Sequence, residues 1–264
     1  MNDTTIQQLF DLTGRVALIT GASGWLGNAM AAALAEAGAN VVVASRDQSK
    51  ADEARGTLPT HKGSQHHAVV LDQLDEASVC RGFEDAVTKA GGVDILINNG
   101  HAADGHDLTD VSADQFQQVL ANATGWFLLS RQFHGHVVNR NASGCIVNIG
   151  SMYGQVGSYP DAYEGICAAS PVSYHTLKGG IIHMTRHLAV YWAKDNVRVN
   201  CLSPGPFPGP GVAQELVERL KAKSPMGRMG LPHELKGALL LLASDAGSYI
   251  TGQNLTVDGG WTAW

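Results

Sequence analysis

Short apolar runs recur along the chain. Each is followed by a polar or glycine-rich break and then by a stretch with helical spacing. Arg15–Thr20, Asn40–Ala44, Ala68–Leu71, Val93–Ile97, Ile146–Ile149 and Val197–Leu202 are brief and rich in Val, Ile and Leu. Runs of that length with little alternation read as strands buried on both faces. Between and after them, Asn28–Ala37, Gln48–Leu58, Glu76–Ala90, Ala113–Phe133, Tyr174–Ala193, Val212–Lys223 and Leu235–Ala243 read as helices, the first stopping at Gly38. Thr251–Gly260 reads as a seventh strand and turn. Strand and helix in alternation predict an α/β fold, a doubly wound parallel sheet of about seven strands with helices on both faces and right-handed crossovers. No internal repeat or linker interrupts the 264 residues, so 1–264 reads as one domain.

Composition narrows the function classes. Hydrophobic residues make up 44% and charged residues 16%, which suits a globular, soluble chain. A net charge of -6 argues against a general nucleic-acid or anionic-membrane binder. No apolar run reaches the roughly 18 residues of a membrane span. Met1–Thr5 lacks a basic start and an apolar signal core, so cytoplasmic residence is expected. Cys80, Cys145, Cys167 and Cys201 are far apart, without Cys-x-x-Cys, and are expected to be buried free thiols. Eleven His show no ligand spacing, so no metal is expected, and His61, His66 and His67 read as solvated loop residues.

Candidate chemistry sits at the breaks. Gly21, Gly24 and Gly27 follow the first strand and precede a helix. That is the setting in which a backbone approaches a dinucleotide pyrophosphate at a helix N-terminus, as in a Rossmann-like fold. Ser45 and Arg46 end the second strand, where an acidic residue would take a ribose 2′-OH and an Arg a 2′-phosphate. NADP(H) is favoured on that ground, and Asp47 leaves NAD(H) open. Tyr174 and Lys178 are four residues apart, so on a helix they share a face. An ammonium beside a phenol lowers the phenol pKa and fits it for proton transfer. Tyr174 alone among the six Tyr has Lys at that spacing.

In their order these motifs resemble the short-chain dehydrogenase/reductase family over about Gly14 to Gly260. Thr20 and Gly21 open a stretch similar to the family's Thr-Gly-x3-Gly-x-Gly turn. Either Gly24 is the middle glycine shifted by one, or Trp25 replaces it; with Gly21, Trp25 and Gly27 in register, the indole would press on the phosphate path. Asn98-Asn99-Gly100-His101 stands where the family has Asn-Asn-Ala-Gly. The resemblance implies Gly21, Ser23, Trp25, Leu26, Ser45, Arg46, Asp72, Asn98, Gly100, Tyr174, Lys178, Pro204 and Gly205 as cofactor contacts. Asp72 would meet adenine, Asn98 would bond neighbouring strands, and Pro204-Gly205 would line the nicotinamide. His101 could face cofactor, substrate or solvent. It implies Ser151, Tyr174, Lys178 and Asn122 as the catalytic set. Tyr174 would be the acid or base, and Lys178 would lower its pKa and hold the ribose. Ser151 would bind the reacting oxygen, and Asn122 would disturb its helix and hold a relay water.

The function implied is NAD(P)-dependent interconversion of an alcohol and a carbonyl. The 22 residues between Ser151 and Tyr174 outnumber what the family carries there. That loop, about 152–173, holds Tyr153, Gln155, Tyr159, Asp161, Tyr163, Glu164 and Cys167, groups suited to a sugar, sugar acid or polyol. A ketone, keto acid or acyl substrate is the alternative, as is packing of this loop on a neighbouring subunit. A dinucleotide-binding regulator is the non-enzyme alternative, disfavoured by the proton-transfer set. The family implies a homotetramer with no nucleic-acid or membrane partner. The apolar end Trp261–Trp264 is expected to dock at a subunit interface.

Overall fold

The computed structural model describes residues 4–61, 63–103, 105–106 and 108–264. In it the apolar runs pair as one parallel seven-stranded sheet, in the order β3-β2-β1-β4-β5-β6-β7. The strands are β1 (Val16–Thr20), β2 (Asn40–Ser45), β3 (His67–Val70), β4 (Ile95–Asn98), β5 (Gly144–Ile149), β6 (Val197–Pro204) and β7 (Asn254–Val257). β1, β4 and β5 are buried along their whole length, as continuous apolar runs require when helices cover both faces. Between β1 and β4 the strand order reverses, and a crevice opens there beyond the carboxyl ends.

The helices are α1 (Ile6–Phe10), α2 (Trp25–Glu36), α3 (Gln48–Gly56), α4 (Glu76–Ala90), α5 (Ala113–Asn139), α6 (Pro160–Tyr163), α7 (Val172–Trp192), α8 (Gln214–Lys223) and α9 (Lys236–Ala243). α1 and α6 were not anticipated, being too short to show a period; α1 is held by a Thr5–Gln8 capping box. α5 runs past Phe133 to Asn139, because Val137 continues its buried stripe. Gly125 lies where α5 crosses the turn after β3. A Cβ there would collide with the backbone carbonyl of Gln73.

Two apolar cores lie one on each side of the sheet. A third joins the segment after β5 to α8 and the C-terminus, with Met152, Tyr153, Leu216, Leu220 and Trp261 at its centre. This changes the reading of the 152–173 loop. Its polar groups are largely spent inside the chain. Tyr153 and Tyr163 share a hydrogen bond of 2.5 Å between hydroxyls, and Gln155 donates to Thr256 Oγ1. Lys223 pairs with Asp161 at 2.6 Å, and Arg219 donates to the carbonyls of Asp161 and Glu164. Trp261 is 2% exposed and packs edge-on against Tyr159 of its own chain, so the expectation of an interface-docked tail fails for Trp261; Trp264 is exposed.

Two smaller expectations also change. His66 is no solvated loop residue: its Nδ1 accepts from Val41 N–H. Of the cysteines only Cys145 and Cys201 are buried, while Cys167 is exposed. Among the described residues no helix is long and apolar enough to cross a membrane, and no group of three or more His, Cys, Asp or Glu is placed to hold a metal ion.

The crossing at Gly125 leaves no room for a methyl group. Gly125→Ala is expected to destabilise the protein by about 1–3 kcal/mol, the range for overpacking. Thermal unfolding measures it, at roughly 2–4 °C per kcal/mol for a chain of this size.

Candidate active site

The crevice at the carboxyl ends of β1, β2 and β4 is a cleft of about 450 Å³. Gly21, Ser23, Trp25, Leu26, Ser45, Arg46, Asp72 and Gly100 all line it. So do Lys50, Gln73, Asn99 and His101, which the motifs did not assign to the cofactor. Lys50 had a signal, since it sits in the first turn of the helix that follows Arg46. α2 enters the cleft with Gly24 as N-cap and no side-chain cap, so its first N–H groups stay open to an anion. Gly21 has φ +65°, and a Cβ on it would lie 2.8 Å from Gly100 Cα. The two strand ends are buckled together there. Thr20 Oγ1 accepts from the N–H of Asn99 (3.0 Å) and Gly100 (2.8 Å), and Asn99 Nδ2 donates to the carbonyls of Thr20 and Gly21.

At the adenosine end, Arg46 and Lys50 make no side-chain hydrogen bond or ion pair among the described residues. Asp47 is occupied: its carboxylate accepts from Lys50 N–H at 3.0 Å and caps α3. Trp25 lines the cleft but is 48% exposed, and its ring abuts the loop after β6, where a Cβ on Gly209 would lie 3.5 Å from Trp25 Cγ. The donor set, the open helix end and the glycine passage fit a dinucleotide.

Beyond the far end of the cleft lie the proton-transfer candidates. β5 delivers Ser151, whose Oγ accepts from Tyr153 N–H at 3.1 Å and keeps its own proton to donate. α7 presents Tyr174 and Lys178 on one face. Lys178 is 3% exposed; its Nζ donates to Ile149 O at 2.6 Å and stands 4.8 Å from the Trp126 ring centre and 5.6 Å from that of Tyr174. Burial lowers the Lys178 pKa to about 8. Burial also pushes Tyr174 up, and the Ser151 hydroxyl is what opposes it. The expected depression of Tyr174 by Lys178 is therefore absent in this arrangement, where the ammonium is turned onto a carbonyl and ring faces.

Two further expectations are revised. Asn98 is fully buried and donates to Ser130 Oγ and Asn148 Oδ1, side chains rather than strand backbone, so it is no cofactor contact. Asn99 takes that place at the cleft wall. Asn122 leaves α5 unbroken and has no free side-chain position for a water. Its Nδ2 donates to Val119 O and Ala102 O, while its Oδ1 accepts from Gln73 Nε2 and Ala102 N. Pro204 ends β6 against β7, and the next residue, Gly205, donates its N–H to Val257 O; like Ser151, Tyr174 and Lys178, the two do not line the cleft itself.

A family model described as enoyl-(acyl carrier protein) reductase matches residues 21–262. The galactitol 2-dehydrogenase (L-tagatose-forming) of Cereibacter sphaeroides is 35% identical over 97% of this chain and 98% of its own. The 3-oxoacyl-(acyl-carrier-protein) reductase of Aquifex aeolicus is 32% identical over 94% and 98%. The chain belongs to the short-chain dehydrogenase/reductase family. Among solved structures, a gluconate 5-dehydrogenase of Burkholderia cenocepacia in complex with NADP and tartrate superposes with TM-score 0.85, 28% identity and coverage of 98% and 100%. A short-chain dehydrogenase of Leptospira borgpetersenii with bound NAD+ gives TM-score 0.84 and 30% identity, covering 96% and 94%. The protein is thus an NAD(P)-dependent oxidoreductase acting on CH–OH groups. A larger cavity, about 670 Å³, opens at the opposite, amino ends of the strands near Arg15, Asp94 and Val197, and is lined by none of the candidate cofactor or proton-transfer residues.

His101 belongs to the cleft by position, and burial with the nearby Lys178 charge lowers its pKa from 6.5 to about 4. The unfolded chain takes up this proton near pH 6.5 and the folded protein only near pH 4, so stability falls as pH drops through that window. The loss attributable to His101 is about 2 kcal/mol at pH 5. Urea unfolding at pH 7 and pH 5 is expected to show His101→Gln losing less on acidification than the wild type, by about that amount.

Proposed function

We propose that the protein interconverts a secondary alcohol and a ketone on a small hydroxyl-rich molecule, a sugar, sugar acid or polyol, with NADP(H) as the preferred cofactor. The observation that carries the proton-transfer part is the convergence of Ser151, Tyr174 and Lys178 from β5 and α7 at the end of the dinucleotide cleft. The nicotinamide, when bound, exchanges a hydride with the substrate carbon. The chain handles the proton. With its pKa held up by burial, Tyr174 Oη enters reduction as the acid and gives its proton to the substrate oxygen. In oxidation the step runs in reverse: Tyr174 enters as the phenolate and takes the proton of the alcohol. Ser151 Oγ, oriented by Tyr153 N–H, donates to the same oxygen, most strongly as negative charge develops there. Lys178 supplies positive charge beneath and a donor for the nicotinamide ribose. Asn122 acts as a positioning residue for the segment at Ala102.

The hydroxyl-rich substrate is supported by the galactitol and gluconate dehydrogenases among the relatives, more than by the 152–173 loop, whose polar groups are mostly paired internally. NADP(H) is supported by Arg46 and Lys50, two cations without an ion-pair partner among the described residues at the adenosine end, while Asp47 is spent as a helix cap. Self-association as a homotetramer is supported by the exposed apolar side chains Val138 of α5 and Val190 and Tyr191 of α7.

Tyr174→Phe removes one oxygen and keeps the ring. It is expected to lower kcat about 1,000-fold with cofactor Kd unchanged, in the range for a lost general acid–base; near-full turnover would sink the assignment. Arg46→Ala and Lys50→Ala are each expected to weaken NADP+ about 10-fold or more and to leave NAD+ affinity nearly alone, as read by fluorescence titration. Equal losses for both cofactors would remove the case for NADP.

A further inference from the structure

Three buried polar atoms near Tyr174 lack a hydrogen-bond partner among the described residues; His175 Nε2 belongs to a residue outside the cavity that Tyr174 lines, and the other two, from different elements, belong to residues lining it. One is Nε2 of His101, from the loop after β4; the other is Oγ of Ser173, from the first turn of α7. Both residues line a cavity of about 290 Å³ that Tyr174 also lines, and whose remaining wall includes Ala103, Val119 and Pro171. Ser173 is 0% exposed. Among the described residues, His101 alone lines both this cavity and the dinucleotide cleft. Its ring stands edge-on to Tyr174, with centroids 5.3 Å apart at 77°. Native proteins rarely leave such groups unpaired, and each asks for a partner.

The backbone on both sides of His101 is pinned. Trp126 Nε1 donates to Gly100 O at 2.8 Å. Asn122 holds both the N–H and the carbonyl of Ala102, at 2.9 and 3.0 Å. The imidazole is thereby set in place before any substrate arrives, which is what a recognition group needs. The partner it can take follows from its chemistry. A neutral imidazole offers one donor and one acceptor, and so does a serine hydroxyl. A substrate hydroxyl is the complement of both. The residues lining the cavity include no Arg or Lys to receive a carboxylate. Lys178 does not line the cavity, donates to Ile149 O, has the nicotinamide ribose as its proposed second partner, and opposes protonation of His101.

We propose that His101 and Ser173 are the specificity pair of this site, holding a hydroxyl on a carbon next to the reacting one. The enzyme then selects uncharged vicinal polyols and their ketoses over sugar acids and isolated alcohols. This rests on Tyr174 serving the reacting oxygen, since the pair is defined by lining the same cavity as Tyr174.

The test compares kcat/KM of the holoenzyme for sorbitol, galactitol, gluconate and cyclohexanol. Wild type is expected to prefer one of the hexitols. His101→Ala and Ser173→Ala are each expected to lower the hexitol-to-cyclohexanol ratio on the order of 10- to 100-fold, the loss of one or two good hydrogen bonds. His101→Gln, which keeps a donor and an acceptor, is expected to retain most of the ratio and guards against a fold defect in the Ala variant. A ratio unchanged in both Ala variants overturns the proposal, as does a wild type that prefers gluconate or leaves both hexitols untouched. Tyr174→Phe separates the two readings. If it stays active while His101→Ala still loses the ratio, the acid–base assignment fails and the specificity pair stands. If it is inactive and the ratio is unchanged, the pair alone falls.

Discussion

A buried ammonium organises the catalytic end of this molecule. Lys178 carries its charge into a site with 3% exposure, and one carbonyl, Ile149 O, takes its short hydrogen bond. Desolvating a cation is costly unless the surroundings answer it. Here the answer comes from the end of β5 and the faces of Trp126 and Tyr174. Much of the site's geometry follows. α7 must lie on β5 for Lys178 to reach Ile149 O, and that brings Tyr174 to Ser151. Trp126 must lie under the ammonium, and its indole N–H then reaches Gly100 O at the cofactor cleft. The same charge helps to keep His101 neutral.

The cofactor end obeys a different constraint, close backbone approach. Gly21 and Gly100 meet where β1 and β4 end, and Thr20 and Asn99 tie the two strands by side-chain hydrogen bonds to main chain. α2 then starts with open N–H groups facing the crevice. The two ends of the site are linked through α5. Asn122 and Trp126, one turn apart on that helix, grip the segment from Gly100 to Ala102. Asn122, for which the motif implies a relay role, clamps this segment with all four of its side-chain hydrogen-bonding positions filled by protein.

The segment after β5 shows how a polar composition can mislead. Its tyrosines, Asp161 and Gln155 suggested hydroxyl recognition. In three dimensions they bond to one another, to α8 and to β7, forming a third core around Trp261. The proposed recognition pair, His101 and Ser173, keeps unpaired polar atoms beside Tyr174 instead.

The order of strands and helices, the glycine turn and the Tyr174–Lys178 spacing were legible in the sequence because each is a local property. Burial on both faces makes a strand an apolar run, a pyrophosphate path demands glycine, and a helix turn sets the four-residue interval. Short elements such as α1 and α6 were not legible, since five and four residues hold no period. Whether a polar side chain is free or spent was not legible either. Asn98, Asn122, Tyr153 and His101 are all hydrogen-bonding residues in the sequence, yet the amides of Asn98 and Asn122 and the Tyr153 hydroxyl find partners 10 to 50 residues away in the chain, while Asn98 Oδ1 and His101 Nε2 find none among the described residues. Partners at that separation are set by how the helices cross the sheet, so only the tertiary structure could decide which groups remain for a substrate.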